Sequence, residues 1–373
     1  ESGATNGTAG VLENTPRLNY TTGVANPYLL LEPSRTNLIA QSEYFGDSYW
    51  TKIGASVVGG YSSPEGLSNA YKLVEDTSTG THRVDSIEWI FITGGTTVTQ
   101  SVYVKANGRT IVGLQDNALG AGHAVFNLST VTVLTVYGVS AKIETLPNGW
   151  FRISYTFVSG GSGSMPYKTG IYALDTYTSG TPLSNTYTGD GTSGLYIYGA
   201  QLEIGSYPTS YIPTYSVSAT RAADSCSKTN ASGEIGQTEG TMYAEINFVD
   251  NNTDSMFMTI GDGTSNNRIH IGYDKTSDWI YCNVKAAGLQ QALITSSSPS
   301  DGIKKIAVAY KQNDYVVYIN GVSVGADTNA NVPTLTKIYI GGYFSAGFEH
   351  SVKQNLLYKE RLTNAELATL TTI

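Results

Sequence analysis

Trp150-Phe-Arg-Ile-Ser-Tyr-Thr-Phe-Val158 alternates without a break. Successive side chains of an extended chain point to opposite faces, so Phe151, Ile153, Tyr155 and Phe157 share one side. Trp150, Arg152, Ser154 and Thr156 take the other. The stretches around it have the same character. Thr96-Thr-Val-Thr-Gln-Ser-Val-Tyr-Val-Lys105 reads as a strand, Asn107-Gly108 as a tight turn, and Arg109-Thr-Ile-Val-Gly-Leu-Gln115 as the returning strand of a hairpin. Leu195-Tyr-Ile-Tyr-Gly-Ala-Gln-Leu-Glu203 reads as a closing strand, and Ser159-Gly-Gly-Ser-Gly-Ser164 as a flexible loop.

The second half repeats the pattern. Arg268–Tyr273 and Trp279–Val284 form one expected hairpin around Asp274–Asp278, and Lys305–Tyr310 and Tyr315–Gly321 another around Lys311–Asp314. A helix is expected only at Thr363-Asn-Ala-Glu-Leu-Ala-Thr-Leu370. There Thr363 can cap, Glu366 stands at the third helical position, and Leu367 and Leu370 share a face. Short strands at regular spacing, with turn residues between them, indicate sandwiches. The fold class is therefore all-β: two tandem antiparallel jelly-roll sandwiches, an extended N-terminal arm and one short C-terminal helix. The arm is expected over residues 1–40, the first sandwich over 41–215 and the second over 216–373. Pro208 and Pro213 mark the boundary between the sandwiches.

Composition agrees. Only 14% of the 373 residues are charged, against roughly 25% in an average soluble domain. Glycine (41) and tyrosine (27) are abundant, which suits turns and pleated strands. A net charge of −8 argues against a nucleic-acid backbone as partner, because phosphate binding needs clustered Lys and Arg. No apolar run approaches the ~20 residues that span a bilayer. The first residues do not read as a secretory signal and Glu1 is not an initiator residue, so a chain that is processed, trimmed or only partly ordered is expected. Cys226 and Cys282 can form at most one bridge; a cystine-stapled scaffold is excluded and buried free thiols are expected.

The chemistry of common enzymes is missing. His82, His123, His270 and His350 form no His-Glu-x-x-His pair, and no Gly-x-Ser-x-Gly elbow occurs. The Gly-rich loop at Ser159 lacks the Lys of a phosphate cradle, and the two cysteines lack zinc spacing. The chain is thus expected not to be an enzyme. A glycosidase needs two carboxylates about 5–10 Å apart, and 30 acidic residues leave a polysaccharide lyase or glycosidase as an alternative.

Alternation nominates a binding platform. Ile269, Ile271, Tyr273, Ile280, Cys282 and Val284 should face the core. Arg268 and His270, beside Trp279, Tyr281 and Asn283, should then share the opposite face, where two aromatics among planar polar groups suit a glycan. The bland reading packs that face against a loop, a domain or a subunit. Trp50 and Trp150 are expected to be structural or, for Trp150, as readily a ligand contact, and His82 to be a structural turn histidine.

Leu30-Leu-Glu-Pro-Ser-Arg-Thr-Asn-Leu38, Glu43-Tyr-Phe, Trp50-Thr-Lys52, Asn148-Gly-Trp-Phe-Arg152, Gly199-Ala-Gln-Leu-Glu-Ile-Gly205, Ser210-Tyr-Ile-Pro-Thr214 and Thr220-Arg-Ala-Ala-Asp224 occur in order. This set resembles the carbohydrate-binding-module-like jelly rolls of phage structural proteins and of some secreted polysaccharide-degrading enzymes, over residues 14–224. Val317-Tyr-Ile-Asn-Gly321, Tyr339-Ile-Gly-Gly342 and Leu357–Leu367 resemble laminin-G-like, concanavalin-type lectin sandwiches. The resemblance implies a non-catalytic virion fibre, tail or capsid-surface protein that binds glycans and other virion proteins. It implies a homotrimer on a virion surface or outside the cell. The alternative is an accessory carbohydrate-binding region of a secreted polysaccharide-degrading enzyme. Lectin-like sandwiches also imply a structural calcium ion. Glu203 stands where related modules place an ion ligand. Asp190 and Asp262, in Asp-Gly turns, are further candidates, although such an Asp commonly caps its own backbone.

Overall fold

Period-two patterning emerges as strands, and among the described residues the one α-helix is Asn364–Thr371. The structure is a computed structural model that describes residues 18–19, 28–87, 89–116, 122–178, 183, 186–224, 226–248, 254–341 and 351–373. His350, Gly342 and the arm outside 18–19 and 28–40 fall outside these residues. Contacts divide the chain into two compact units. One is built on Arg35–Arg221, the other on Ala222–Ile373 together with the described residues before 35.

The first unit is a sandwich of two six-stranded antiparallel sheets. One sheet runs, in spatial order, Ser140–Thr145, Phe151–Val158, Thr97–Asn107, Gly194–Ile204, Ala70–Glu75 and Ala55–Tyr61. The other runs Thr132–Tyr137, His123–Asn127, Ile111–Asp116, Thr169–Leu174, His82–Ser86 and Trp50–Ile53. Ile153, Tyr155 and Phe157 face inward as the alternation requires, and meet Val98, Val102, Leu114, Phe126 and Ile171 in one core. Each such side chain contributes about 1.5–3 kcal/mol by leaving water.

The other face of Phe151–Val158 is also buried, because the segment after the last long strand crosses it. Arg152 donates to the Thr209 carbonyl at 2.7 Å, and the Thr156 hydroxyl to the Ser206 carbonyl at 3.1 Å.

The expected hairpin at Asn107-Gly108 is not formed. Thr97–Asn107 pairs with Phe151–Val158 and Gly194–Ile204, whereas Ile111–Asp116 pairs with His123–Asn127 and Thr169–Leu174. The turn carries the chain from one sheet to the other. Gly108 has φ +85, and a Cβ there would lie 2.4 Å from the Ser193 hydroxyl, so the turn is pinned against the neighbouring strand. Arg109 then donates to Glu75, which is 1% exposed. An Asn-Gly turn fixes a local reversal, but a buried ion pair directs where the next strand goes.

The second unit also has two antiparallel sheets. The larger orders Leu18–Asn19, Tyr28–Leu29, Ser351–Tyr358, Glu239–Phe248, Gly302–Lys311, Asp314–Ile319 and Val322–Asp327. The arm therefore supplies edge strands: Leu29 lies opposite Val352, and Leu31 enters the core. The smaller sheet orders Cys226–Lys228, Lys337–Ile340, Ser255–Gly261, Arg268–Asp274, Trp279–Ala286 and Leu289–Thr295. Both expected hairpins are present, Arg268–Asp274 with Trp279–Ala286 and Gly302–Lys311 with Asp314–Ile319. The helix opens with a complete capping box, Thr363 bonding the Glu366 amide and Glu366 the Thr363 amide. Leu367 and Leu370 pack on Tyr243, Ala307 and Val316 of the larger sheet.

Candidate functional site

Glu43 organises a cleft in the first unit. Its segment is tied into the sandwich on both sides. The Trp50 indole donates to the Gln41 carbonyl at 2.8 Å, the Ala200 amide to the Ser42 carbonyl at 3.0 Å, and the Ser42 amide to the Thr214 hydroxyl at 3.0 Å. These bonds leave Glu43 7% exposed. A carboxylate withdrawn from water needs donors, and four converge on it. Tyr198 (3.0 Å) and Tyr211 (3.3 Å) donate to Oε1, and Tyr215 (3.2 Å) and the Asn69 amide (3.3 Å) to Oε2. Burial, and then the Glu43 charge, push the Tyr215 hydroxyl up to about 12 and that of Tyr198 further still. The hydroxyls therefore remain donors at neutral pH.

Behind them, Tyr103, Tyr198 and Tyr211 pack edge to face or tilted with centroids 5.5–5.9 Å apart, and Trp150 closes the same cluster.

The mouth of the cleft is aromatic. Tyr44 is 53% and Tyr215 41% exposed, their centroids 6.0 Å apart at 74°. Tyr71 forms another wall, with Ser68 and Gly60 completing the lining. The cleft holds about 360 Å³, at the lower end of the ~300–1,000 Å³ range of small-ligand sites. A β-bulge between Gly59 and Tyr61 shapes this edge. Gly60 sits at φ +93 with open space where a Cβ would be, and a Cβ at Gly59 would press Tyr71 at 3.0 Å. The Asn69 carbonyl oxygen is buried with no hydrogen-bond partner. None of the lining residues is a cation. Glu65 acts on the Tyr198 and Tyr215 hydroxyls, and Asp47 on that of Tyr71.

The platform named from sequence lies in the second unit. Arg268, His270 and Asp274 stand opposite Lys285, Asn283 and Trp279, with Gly272 opposite Tyr281, so the five residues do share one face. Ile269, Ile271, Tyr273, Ile280, Cys282 and Val284 fill the core behind it. His270 and Asn283 are 2% and 8% exposed, while Arg268, Trp279 and Tyr281 are half-buried. Tyr281 packs edge-on against His270 at 5.2 Å. Burial, with Arg268 and Lys285 adding, pushes the His270 imidazole down to about 3, so it stays neutral.

The other named residues have structural neighbours. Trp50 is 1% exposed and packs on Phe45 at 4.8 Å; Trp150 is 2% exposed. His82 is wholly buried between the Gly54 and Tyr187 carbonyls.

Glu203, also wholly buried, accepts from the Gln201 amide at 2.6 Å and from the Thr209 amide at 2.9 Å, and so fastens the covering segment. Asp190 caps its own turn through the Thr192 and Ser193 amides (2.7 and 2.6 Å), and Asp262 through the Thr264 amide (2.7 Å). Among the described residues no three His, Cys, Asp or Glu side chains gather as a metal-ligand set. The oxygens of Glu203, Asp190 and Asp262 already accept internal donors, so these residues do not fit a resident calcium ion. Both cysteines are free, Cys282 buried and Cys226 half-buried.

Sequence reading passed over the Glu43 cleft. The signal was Glu43-Tyr44 inside a family-like motif, in a chain of 27 tyrosines.

No protein-family model matches the chain, and no curated protein matches it. Among solved structures it is similar to the Ruminococcus gnavus IT-sialidase CBM40, at 14% identity and a TM-score of 0.32 over 38% of this chain and 86% of that one. It is similar to mouse laminin alpha1 chain domains LG4-5, at 12% identity and a TM-score of 0.28 over 93% of each chain. Chicken Galectin 2 gives 14% identity and a TM-score of 0.26, over 35% of this chain and 96% of that one. Overlaps this low carry nothing about ligand or site.

Proposed function

We propose that the chain is a non-catalytic carbohydrate-binding protein whose sugar sits in the Tyr44–Tyr71–Tyr215 cleft. The observation that carries this reading is the pairing of two solvent-open tyrosine rings with a buried, fully donated carboxylate and the unpartnered Asn69 oxygen. A pyranose presents apolar C–H faces and a rim of hydroxyls. The rings offer a stacking surface, and the Asn69 side-chain amide stands in the same lining as a polar group beside them. Both Glu43 oxygens already accept two protein donors each. Such a carboxylate is held in place rather than presented as nucleophile or acid, which supports binding without chemistry.

The half-buried Trp279 and Tyr281 of the second unit are a second candidate contact, tested by Trp279→Ala. The wider role proposed is a homotrimeric phage virion appendage, a fibre or surface decoration displayed outside the cell. It rests on the ordered motifs between Leu30 and Asp224, and repeated weak sites would then add through avidity. The test of binding is a glycan array with the wild type and with Tyr44→Ala and Tyr215→Ala. Binding lost in either variant supports the cleft. Binding unchanged in both removes it. Light scattering tests the trimer, and a stable monomer contradicts it.

A further inference from the structure

We propose that the cleft selects sugars carrying a protonated amine over their neutral counterparts and rejects acidic ones. This inference rests on the carbohydrate-binding reading and concerns the charge of the ligand. Three tyrosine rings, Tyr44, Tyr71 and Tyr215, line one space with the Glu43 carboxylate at its floor. The face of an aromatic ring attracts a cation through its quadrupole, most strongly where water is partly excluded. Glu65 and Asp47 act on hydroxyls of the same tyrosines, so with Glu43 three carboxylates act around the cleft against one nearby ammonium, Lys52.

A counter-charge for an acidic sugar is missing. The lining holds no Lys or Arg. The nearby Lys52 ammonium is engaged elsewhere, donating to the Gly46 carbonyl at 3.2 Å and the Asp47 carbonyl at 2.8 Å. A uronate or sialate would bring its carboxylate toward Glu43 without a partner, and like charges in a partly desolvated site repel. An ammonium would meet three tyrosine rings and the Glu43 carboxylate.

The experiment compares hexamers of one backbone, glucosamine and N-acetylglucosamine, by titration calorimetry at pH 5.5 on the intact chain, with oligogalacturonate as the acidic probe. The glucosamine hexamer should bind at least about tenfold tighter, a difference of about 1.4 kcal/mol. The preference should weaken in higher salt, and oligogalacturonate should not bind. Glu43→Gln should remove the preference. Because that side chain is buried, Glu65→Gln provides a surface variant and should reduce it. Equal affinity for the two hexamers, tighter binding of the neutral one, or binding of neither overturns the charge selectivity. The carbohydrate-binding reading stands or falls separately on the glycan array.

Discussion

Truncating Tyr44 separates ligand binding from folding more cleanly than any other change in the cleft. The ring is 53% exposed and lies against Tyr215 at 6.0 Å. Removing it leaves the buried framework of Glu43, Tyr198 and Tyr211 in place. A half-exposed side chain outside the core should change stability by no more than about 0.5 kcal/mol. Its contribution to binding is larger. A pyranose that covers roughly 50 Å² of ring face gains about 1.3 kcal/mol at ~25 cal/mol/Å², close to a tenfold change in Kd. The assay is calorimetric titration of the best array ligand into wild type and Tyr44→Ala, with thermal unfolding of both chains as the control. The expected result is a tenfold weaker Kd with unfolding temperatures within two or three degrees of each other, on the order of the shift that half a kcal/mol produces. A Kd within twofold of wild type refutes the argument that this ring is a stacking surface. A collapse of the unfolding temperature refutes the argument that it is peripheral to the core.

Glu75 should govern part of the acid response. Burial alone would raise its pKa, but hydrogen bonds from Arg109, the Asp190 amide and Tyr187 outweigh that and hold it below the unfolded value of 4.5. Its stabilisation is therefore complete above about pH 4.5 and is lost as pH falls through the lower folded value. Between pH 4.5 and 3 the melting temperature of Glu75→Gln should fall less steeply than that of wild type; parallel slopes contradict the linkage. Burial pushes the Cys282 thiol up to about 12 and raises that of half-buried Cys226 less. A thiol reagent at pH 8 should titrate Cys226 slowly and Cys282 only after denaturation, and rapid release of two equivalents from the native chain contradicts this. Because Glu203, Asp190 and Asp262 hold internal donors, EDTA should leave the melting temperature unchanged. A drop restored by calcium would show a site that these carboxylates do not explain.

The sandwiches were legible because their signal is local and repeated. Alternation at Phe151, Ile153, Tyr155 and Phe157, or at Ile269, Ile271 and Tyr273, sets the buried face of a strand wherever the strand ends up. The helix was legible for the same reason, since Thr363 and Glu366 form a box within four residues. What failed was the partner of a strand. Asn107-Gly108 looks the same whether the chain returns beside itself or crosses to a facing sheet, and the difference lies in Glu75 and Ser193, distant in sequence. Polar Arg152 and Thr156 pointed outward as expected, yet the segment from Ser206 to Thr209 covers them.

The cleft was illegible for the same reason in stronger form. Glu43, Asn69 with Tyr71, and Tyr215 come from three separate segments brought together only by the first sandwich. Tyr215 stands in a stretch that reads as a boundary. Platform residues on paired strands were within reach of alternation, because Arg268, His270, Trp279, Tyr281 and Asn283 sit on one hairpin; their degree of burial was not.

Chemical-shift mapping places the ligand directly. An isotopically labelled chain would be titrated with the sugar that binds best on the array, and perturbed amides assigned. The account predicts the largest shifts at Tyr44, Asn69, Tyr71 and Tyr215, saturating with the calorimetric Kd. Shifts confined to other surfaces, with these four residues unmoved at saturation, would contradict it.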